Sequence, residues 1–343
     1  MGSGAALDWL DSFGWVIIIA AAAVSFGMLL LLRPVLQRHA LAHPNARSSH
    51  KTPTPQGGGI AVIAATTGVV AASFLFGVPG LSGHSMWLVL AATVFIAIVG
   101  AVDDVRSIAV MPRLILQIVG VAIVLAAMPD DLRVVSFLPY WLERALLGLG
   151  ILWFVNLANF MDGIDWMTVA EVVPLSAGLV LFGFIGALPR DATVMALAVC
   201  GALIGFAPLN RPVARLFLGD VGSLPIGLLL GWLLVVLAGS GHVVAALLLP
   251  LYYLADATIT LLRRLAHGEP ILQAHRGHFY QRAMDGGFSV YQIVGRVFLL
   301  NIALFALAAT TLVTTSDVLH AAALIAGCVL VVLLLYRFAA ARA

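Results

Sequence analysis

Charge is what this sequence has least of. Asp, Glu, Lys and Arg together fill 10% of its 343 positions, against about a quarter in an ordinary soluble domain. So few ionic groups cannot cover a solvated surface, which excludes a water-soluble globule. Cysteine is almost absent as well. Cys200 and Cys328 both sit inside apolar runs, where a small packed residue is expected, so a disulfide framework and a thiolate metal site are excluded. There is no HExxH pair, which removes the helical zinc signature. The apolar runs do not alternate with polar residues as membrane β-strands do, and no internal repeat, low-complexity tract or soluble appendage is visible. What fills the chain is hydrocarbon: 62% of residues are hydrophobic and the mean hydropathy is +1.08.

An apolar run of roughly 20 residues crosses a bilayer core of about 30 Å. About eleven runs of that kind lie near 13–32, 58–78, 86–102, 112–128, 142–158, 168–188, 192–209, 222–239, 242–262, 290–314 and 318–336. They predict an all-α polytopic transmembrane bundle forming one unit over residues 1–343. Asp8 and Asp11 precede the first run and Arg33 and Arg38 follow it. That order is the reverse of a signal peptide's basic start, so a retained anchor is expected. Threading from an outside N-terminus places all of the 18 Lys and Arg except Arg133, Arg144 and Arg190 on or near the inner side. The positive-inside rule favours that orientation and puts the C-terminus, with Arg337 and Arg342, in the cytoplasm.

Under this topology the outer loops are short and poor in chemistry, whereas the inner ones are rich. They carry HPNARSSHKTPTPQGGG (43–59), DDVRS (103–107), NLANFMDGID (156–165), NRPVARLFLGDVGS (210–223) and RRLAHGEPILQAHRGHFYQRAMDGG (263–287). Positive-inside bias explains the basic residues but not the acidic ones. Asp103, Asp104, Asp162, Asp165 and Asp220 stand at the inner edges of apolar runs, where an ionised carboxylate is costly and tends to be functional or paired. Clustered carboxylates repel unless a cation or basic side chain neutralises them. Carboxylates without thiolates favour a hard ion such as Mg²⁺, which takes one or two of them and completes its shell with water and phosphate oxygens. His275, Arg276, His278 and Arg282 form a basic cluster in one loop suited to phosphate. Acids, bases and a metal facing one another suit phosphoryl transfer between two anions.

Other residues carry less. Gly57–Gly59 opens an apolar run, where glycines more often serve close helix packing than phosphate binding. His84, His242 and His320 lie on the outer side and are expected to be incidental, and Phe217 reads as a membrane-edge aromatic. Asp256 lies within an apolar run, with functional and structural roles equally open.

The motifs PNARSSHKTPTPQGGG, GAVDDVRS, NLANFMDGID, FLGDVGS and AHRGHFYQR, in this order over residues 43 to about 290, resemble the polyprenyl-phosphate N-acetylhexosamine-1-phosphate transferases, glycosyltransferase family 4. That superfamily also holds the phospho-N-acetylmuramoyl-pentapeptide transferases. The resemblance implies Asp220 as the Mg²⁺ ligand (Mn²⁺ in its place) beside the diphosphate. Asp103 and Asp104 would be catalytic, one of them deprotonating the lipid phosphate. Asn159 and Asp162 would lie near the metal, with Gly163, Ile164 and Asp165 near a uracil that Asn210 bonds and Phe217 stacks on. The stretch with His275, Arg276, His278 and Arg282 would meet diphosphate and sugar, with His278 among the catalytic residues. HRGHFYQR departs from the triple histidine of the peptidoglycan branch and looks like the O-antigen branch, which uses UDP-linked N-acetylated hexosamines. Trp166 stands where family members often have the last glycine of DGIDG, and Ala42 and His43 stand where an acidic residue often precedes PN.

The implied reaction is attack of undecaprenyl phosphate on the β-phosphorus of a UDP-N-acetylhexosamine, with UMP leaving, at the cytoplasmic face of a bacterial inner membrane. Direct attack and an aspartyl-phosphate intermediate both fit. The peptidoglycan enzymes suggest a homodimer, and no nucleic acid partner is implied. A secondary transporter of an anionic metabolite is the alternative, but such sites lie near the midplane between repeats, whereas these polar residues gather on one face.

Overall fold

The computed structural model describes residues 3–42, 53–78, 81, 83–270 and 275–340. The stretch PNARSSHK, Ala274 and Arg342 lie outside the described residues. Among the described residues thirteen helices follow one another: α1 (Ser3–His39), α2 (Gly59–Leu75), α3 (His84–Val105), α4 (Val110–Ala127), α5 (Tyr140–Met161), α6 (Met167–Phe184), α7 (Arg190–Asn210), α8 (Asp220–Gly239), α9 (Val243–Leu248), α10 (Leu251–Ala266), α11 (Phe279–Asp285), α12 (Val290–Leu312) and α13 (Asp317–Ala339). Between α1 and α2 the two-residue strands β1 (Leu41–Ala42) and β2 (Thr54–Pro55) pair antiparallel. The bundle is thus all-α, and among the described residues nine helices are long and apolar enough to cross a membrane.

Each expected apolar run is helical, with one correction. The run at 242–262 is not a single span but α9 and α10, separated at Leu249 and Pro250. Proline lacks the N–H that continues a helix and its ring crowds the preceding turn. The break turns α10 so that Tyr252, Asp256, Thr260 and Arg264 share its buried face while Ile259, Leu262 and Leu265 are exposed. The 17-residue α2 is a shorter apolar helix.

Helix α8 is the axis. Its apolar window is 94% buried, against 22% for α1 and for α13, so the peripheral helices offer their apolar side chains to lipid. Packing around α8 is close enough to need bare backbone. A Cβ on Gly59 would come within 2.3 Å of the Gly222 Cα, so only glycine lets α2 meet α8 there. The N–H groups of Gly58 and Gly59 donate to the carbonyls of Phe217 and Leu218 at 2.9 and 2.8 Å. The glycine run therefore serves close packing, and those donors are spent on the protein itself.

Candidate active site

The C-terminal ends of α3, α5 and α7 and the starts of α4, α6, α8 and α11 meet at one end of the bundle. Asp220 opens α8. Its Oδ1 accepts from Asn159 Nδ2 at 2.7 Å, and the same amide donates to Ser223 Oγ at 3.0 Å. Its Oδ2 lies 3.9 Å from Arg113 Nη1, too far for a hydrogen bond. Asp103 sits against Asp220, carboxylate to carboxylate. Arg113 bonds the Asp103 Oδ2 at 2.7 Å and Ile108 N–H bonds its Oδ1 at 2.6 Å. Asp104 accepts from the N–H groups of Asp220 and Val221 at 2.9 and 3.1 Å, which caps α8 from another helix. Both oxygens of Asp103 and of Asp104 are therefore already engaged.

The uracil-assigned residues tie two loops together. Asp165, 3% exposed, accepts from Ala214 N–H at 2.9 Å. Asn210 accepts from Trp166 N–H at 2.8 Å and donates to the Leu216 carbonyl at 3.0 Å. Phe217 N–H donates to the Pro55 carbonyl at 2.8 Å, and its ring is half-buried. Ile164 is buried and Gly163 exposed. Tyr280 donates its hydroxyl to the Phe160 carbonyl at 3.0 Å, and a Cβ on Gly163 would stand 2.0 Å from that hydroxyl. Asp162 accepts a short hydrogen bond from Thr168. Burial raises its carboxyl to about 7 against that bond, helped by the charges of Asp104 and Asp165.

The basic loop divides in its roles. Arg276 pairs with Asp285 at 2.9 Å, and Arg282 and Arg263 both lie 5.8 Å from the Phe279 ring. His275 stacks on His278 with ring centres 4.9 Å apart. Burial, then the charges of His278, Arg264 and Arg263, hold His275 down at about 4 despite Glu269, so at neutral pH it is an uncharged ring rather than a fixed cation. Its Nδ1 is buried with no partner among the described residues.

A groove of about 450 Å³ opens on this cluster. Its polar mouth has Arg113, Asn159, His275 and His278, and its wall runs down α5 through Leu152 to Leu149. Ten residues of helix make that run about 15 Å long. Leu114 on α4 and Leu261 on α10 face it, and one polar step, Asn156 donating to Gln117 at 2.8 Å, lies below the mouth. Sequence reasoning passed over Arg113 and Gln117 and carried Asn156 only as the first residue of NLANFMDGID. A lone arginine in the first turn of an apolar run, ten residues after Asp103, was absorbed into the positive-inside count.

A family model, glycosyl transferase family 4, matches residues 86–238. A Bacillus subtilis (strain 168) protein named probable undecaprenyl-phosphate N-acetylglucosaminyl 1-phosphate transferase is 26% identical over 82% of this chain and 83% of its own length. The decaprenyl-phosphate N-acetylglucosaminephosphotransferase of Mycobacterium leprae (strain TN) is 28% identical over 93% of this chain and 90% of its own. The phospho-N-acetylmuramoyl-pentapeptide-transferase of Mycolicibacterium gilvum (strain PYR-GCK) is 28% identical over 73% and 83%.

Over residues 86–238 the chain is similar to glycosyl transferase family 4.

Against the DGIDG pattern of that family, Trp166 is the departure that the backbone explains. Its φ is +60°, the left-handed region that the glycine of DGIDG enters at no steric cost. Here tryptophan holds that conformation because its side chain is tied on both faces. Nε1 donates to the Ala207 carbonyl at 2.7 Å, and the ring meets Tyr291 edge-on at 6.1 Å. Trp166 thus fastens the α5–α6 loop to α7 and α12.

Whether a divalent ion suits the cluster can be judged from the donors. Asp103 and Asp220 touch, with one arginine between them and the groove, an arrangement that calls for added positive charge. Among the described residues no three His, Cys, Asp or Glu form a metal-holding group. Two carboxylates fit an ion that completes its shell from water and phosphate.

Proposed function

We propose that this protein transfers an N-acetylhexosamine 1-phosphate from a UDP-sugar to undecaprenyl phosphate and releases UMP. The observation that carries the reading is the groove: its mouth holds Arg113, Asn159, His275 and His278, with Asp220 bonded to Asn159 beside it, and its wall is hydrocarbon. A ligand with a phosphate head and an isoprenoid tail matches both ends, whereas a soluble anion would leave the apolar wall uncovered. Relatives named as polyprenyl-phosphate transferases support the same acceptor.

Mg²⁺, held by Asp220 with Asp103 beside it, would supply charge neutralisation of the phosphate oxygens. The chain's own residues do the rest. Arg113 gives the acceptor phosphate a cationic partner at the mouth. Arg276, Arg282 and His275 frame the diphosphate and sugar. Gly163 and Ile164 line the nucleotide side, and Asp165 and Asn210 hold the 210–218 loop that carries Phe217 toward the base. The site faces the cytoplasm of a bacterial inner membrane, as the basic residues near it favour.

The test uses membranes containing the full chain, Mg²⁺, undecaprenyl or decaprenyl phosphate and a panel of labelled UDP-sugars, beginning with N-acetylglucosamine because that sugar appears in the relatives' names. A lipid-linked, mild-acid-labile product is expected. No product with any donor, where a relative run in parallel gives one, overturns the reading. Exchange of labelled UMP into UDP-sugar without acceptor would replace direct attack by a covalent enzyme intermediate.

A further inference from the structure

Asp256 is the most heavily bonded carboxylate near the site, and the reaction as described leaves it unused. It is fully buried on α10 and receives five donors. Its Oδ1 accepts from Phe279 N–H at 3.0 Å, His278 Nδ1 at 3.1 Å and Thr260 Oγ1 at 3.4 Å. Its Oδ2 accepts from Tyr280 N–H and Tyr252 Oη, both at 3.3 Å. The two backbone bonds fix the start of α11. The His278 bond does something further, because a ring nitrogen facing a carboxylate carries the proton and so sets the tautomer.

His278 is itself 4% exposed and packed between the rings of His275, Tyr280 and Phe160 at 4.9, 5.8 and 6.2 Å, so it cannot turn. It lines the acceptor groove. With Nδ1 tied to Asp256, Nε2 is the nitrogen left for the groove, and among the described residues it has no partner. Asp103 and Asp104, the expected bases, have both oxygens committed to N–H groups and Arg113.

We propose that Asp256 is a positioning residue that keeps the Nδ1 proton on His278 and thereby makes Nε2 the acceptor for the proton of the lipid phosphate. The inference rests on the transfer reading above. In the step, Nε2 takes the proton of the phosphate monoanion. The dianion's oxygen forms a bond to the β-phosphorus, and the bond to the UMP oxygen breaks with its electron pair leaving on UMP. The imidazolium, stabilised by Asp256, then returns its proton to water.

The experiment compares Asp256→Asn, His278→Gln and the double variant in the full-length protein, assayed with Mg²⁺, UDP-N-acetylglucosamine or whichever donor the wild type accepts, and undecaprenyl phosphate. Asparagine removes the charge that holds the Nδ1 proton, and with its Nδ2 in the Oδ1 position it turns an N–H toward His278, favouring the other tautomer, while its oxygen still accepts from Tyr280 N–H and Tyr252 Oη. Asp256→Asn should lower kcat at least ~100-fold, the scale of general acid–base catalysis, and change the KM for the UDP-sugar less than about threefold. The double variant should be no slower than His278→Gln within about threefold, since partners acting as one unit are not additive. Losses that multiply in the double variant, or near-normal turnover of Asp256→Asn, overturn the proposal. A second arm needs no activity: ¹⁵N spectra of histidine-labelled protein should show His278 protonated at Nδ1 in the wild type and at Nε2 in Asp256→Asn. An Nε2-protonated wild-type ring overturns the proposal even where Asp256→Asn fails to fold. Absence of lipid-linked product from the wild type with every donor defeats the transfer reading instead and leaves the tautomer result standing.

Discussion

The carboxylate of Asp104 accepts the backbone N–H of Asp220, 116 positions later in the chain, at 2.9 Å, and that of Val221 at 3.1 Å. An aspartate on one helix thus supplies the cap that α8 lacks from its own sequence, where Gly219 precedes the first turn. This contact places the Asp220 side chain beside Asn159 and fixes α3 against the axis of the bundle.

The cap gives Asp104 a testable division of labour. Asp104→Ala leaves two buried donors unpaired, at a cost of roughly 1–3 kcal/mol each. It should lower the melting temperature in detergent and cut turnover more than ~100-fold as Asp220 shifts. Asp104→Asn keeps one acceptor oxygen and should retain most of the thermal stability and roughly a tenth or more of the turnover. Equal losses in both variants would return Asp104 to proton transfer.

Arg113 is expected to matter for the acceptor and not the donor. Arg113→Ala leaves Asp103 and Asp220 facing each other without their cationic neighbour. Steady-state kinetics should show kcat/KM for polyprenyl phosphate falling ~10- to 100-fold, the range for a hydrogen bond to a charged group, with the KM for the UDP-sugar little changed. Arg113→Lys should recover part of the loss, because one ammonium replaces a forked donor.

Asp162 should leave a mark on pH dependence. Its carboxyl is raised to about 7 in the folded protein, above the ordinary value near 4. Between those values the unfolded chain holds fewer protons than the folded one, so stability falls as pH rises from about 4 to about 7. Below about 4 both states are protonated and the slope disappears. Melting curves of Asp162→Asn, recorded without divalent ions, should be flatter across that window. A steeper decline in the variant would contradict the buried carboxyl.

At Trp166 two effects oppose. Trp166→Gly relieves a left-handed residue, worth about 1–2 kcal/mol, but deletes the bond to Ala207 and the contact with Tyr291. A half-buried indole outweighs the relief, so a net loss of roughly 1–3 kcal/mol is expected, together with a raised KM for the UDP-sugar as the 210–216 loop loosens. A more stable variant would show that the strain dominates.

Hydropathy and charge placed the helices because both are local. Membrane burial acts on each run of about 20 residues by itself, so the runs at 13–32 or 222–239 needed no partner to be recognised. The gathering of Asp103, Asp104, Asn159, Asp162 and Asp220 at one end of the bundle was readable for the same reason: each stands at the end of an apolar run. The break at Pro250 was the exception, since proline is held within α6, α7 and α8 at Pro174, Pro208 and Pro225 and only the packing decides where it interrupts.

The sequence by itself determined the membrane, the all-helical architecture and the meeting of acids and bases at one face. Tertiary structure alone decided how each of those residues is used. Asp104 became a cap, Asp165 and Asn210 became ties between loops, Arg113 became the cation of the groove, and Asp256 took hold of His278 from another helix. The reason is that a hydrogen bond depends on a few tenths of an ångström between groups that can be more than a hundred residues apart, whereas partition into lipid depends only on neighbours along the chain.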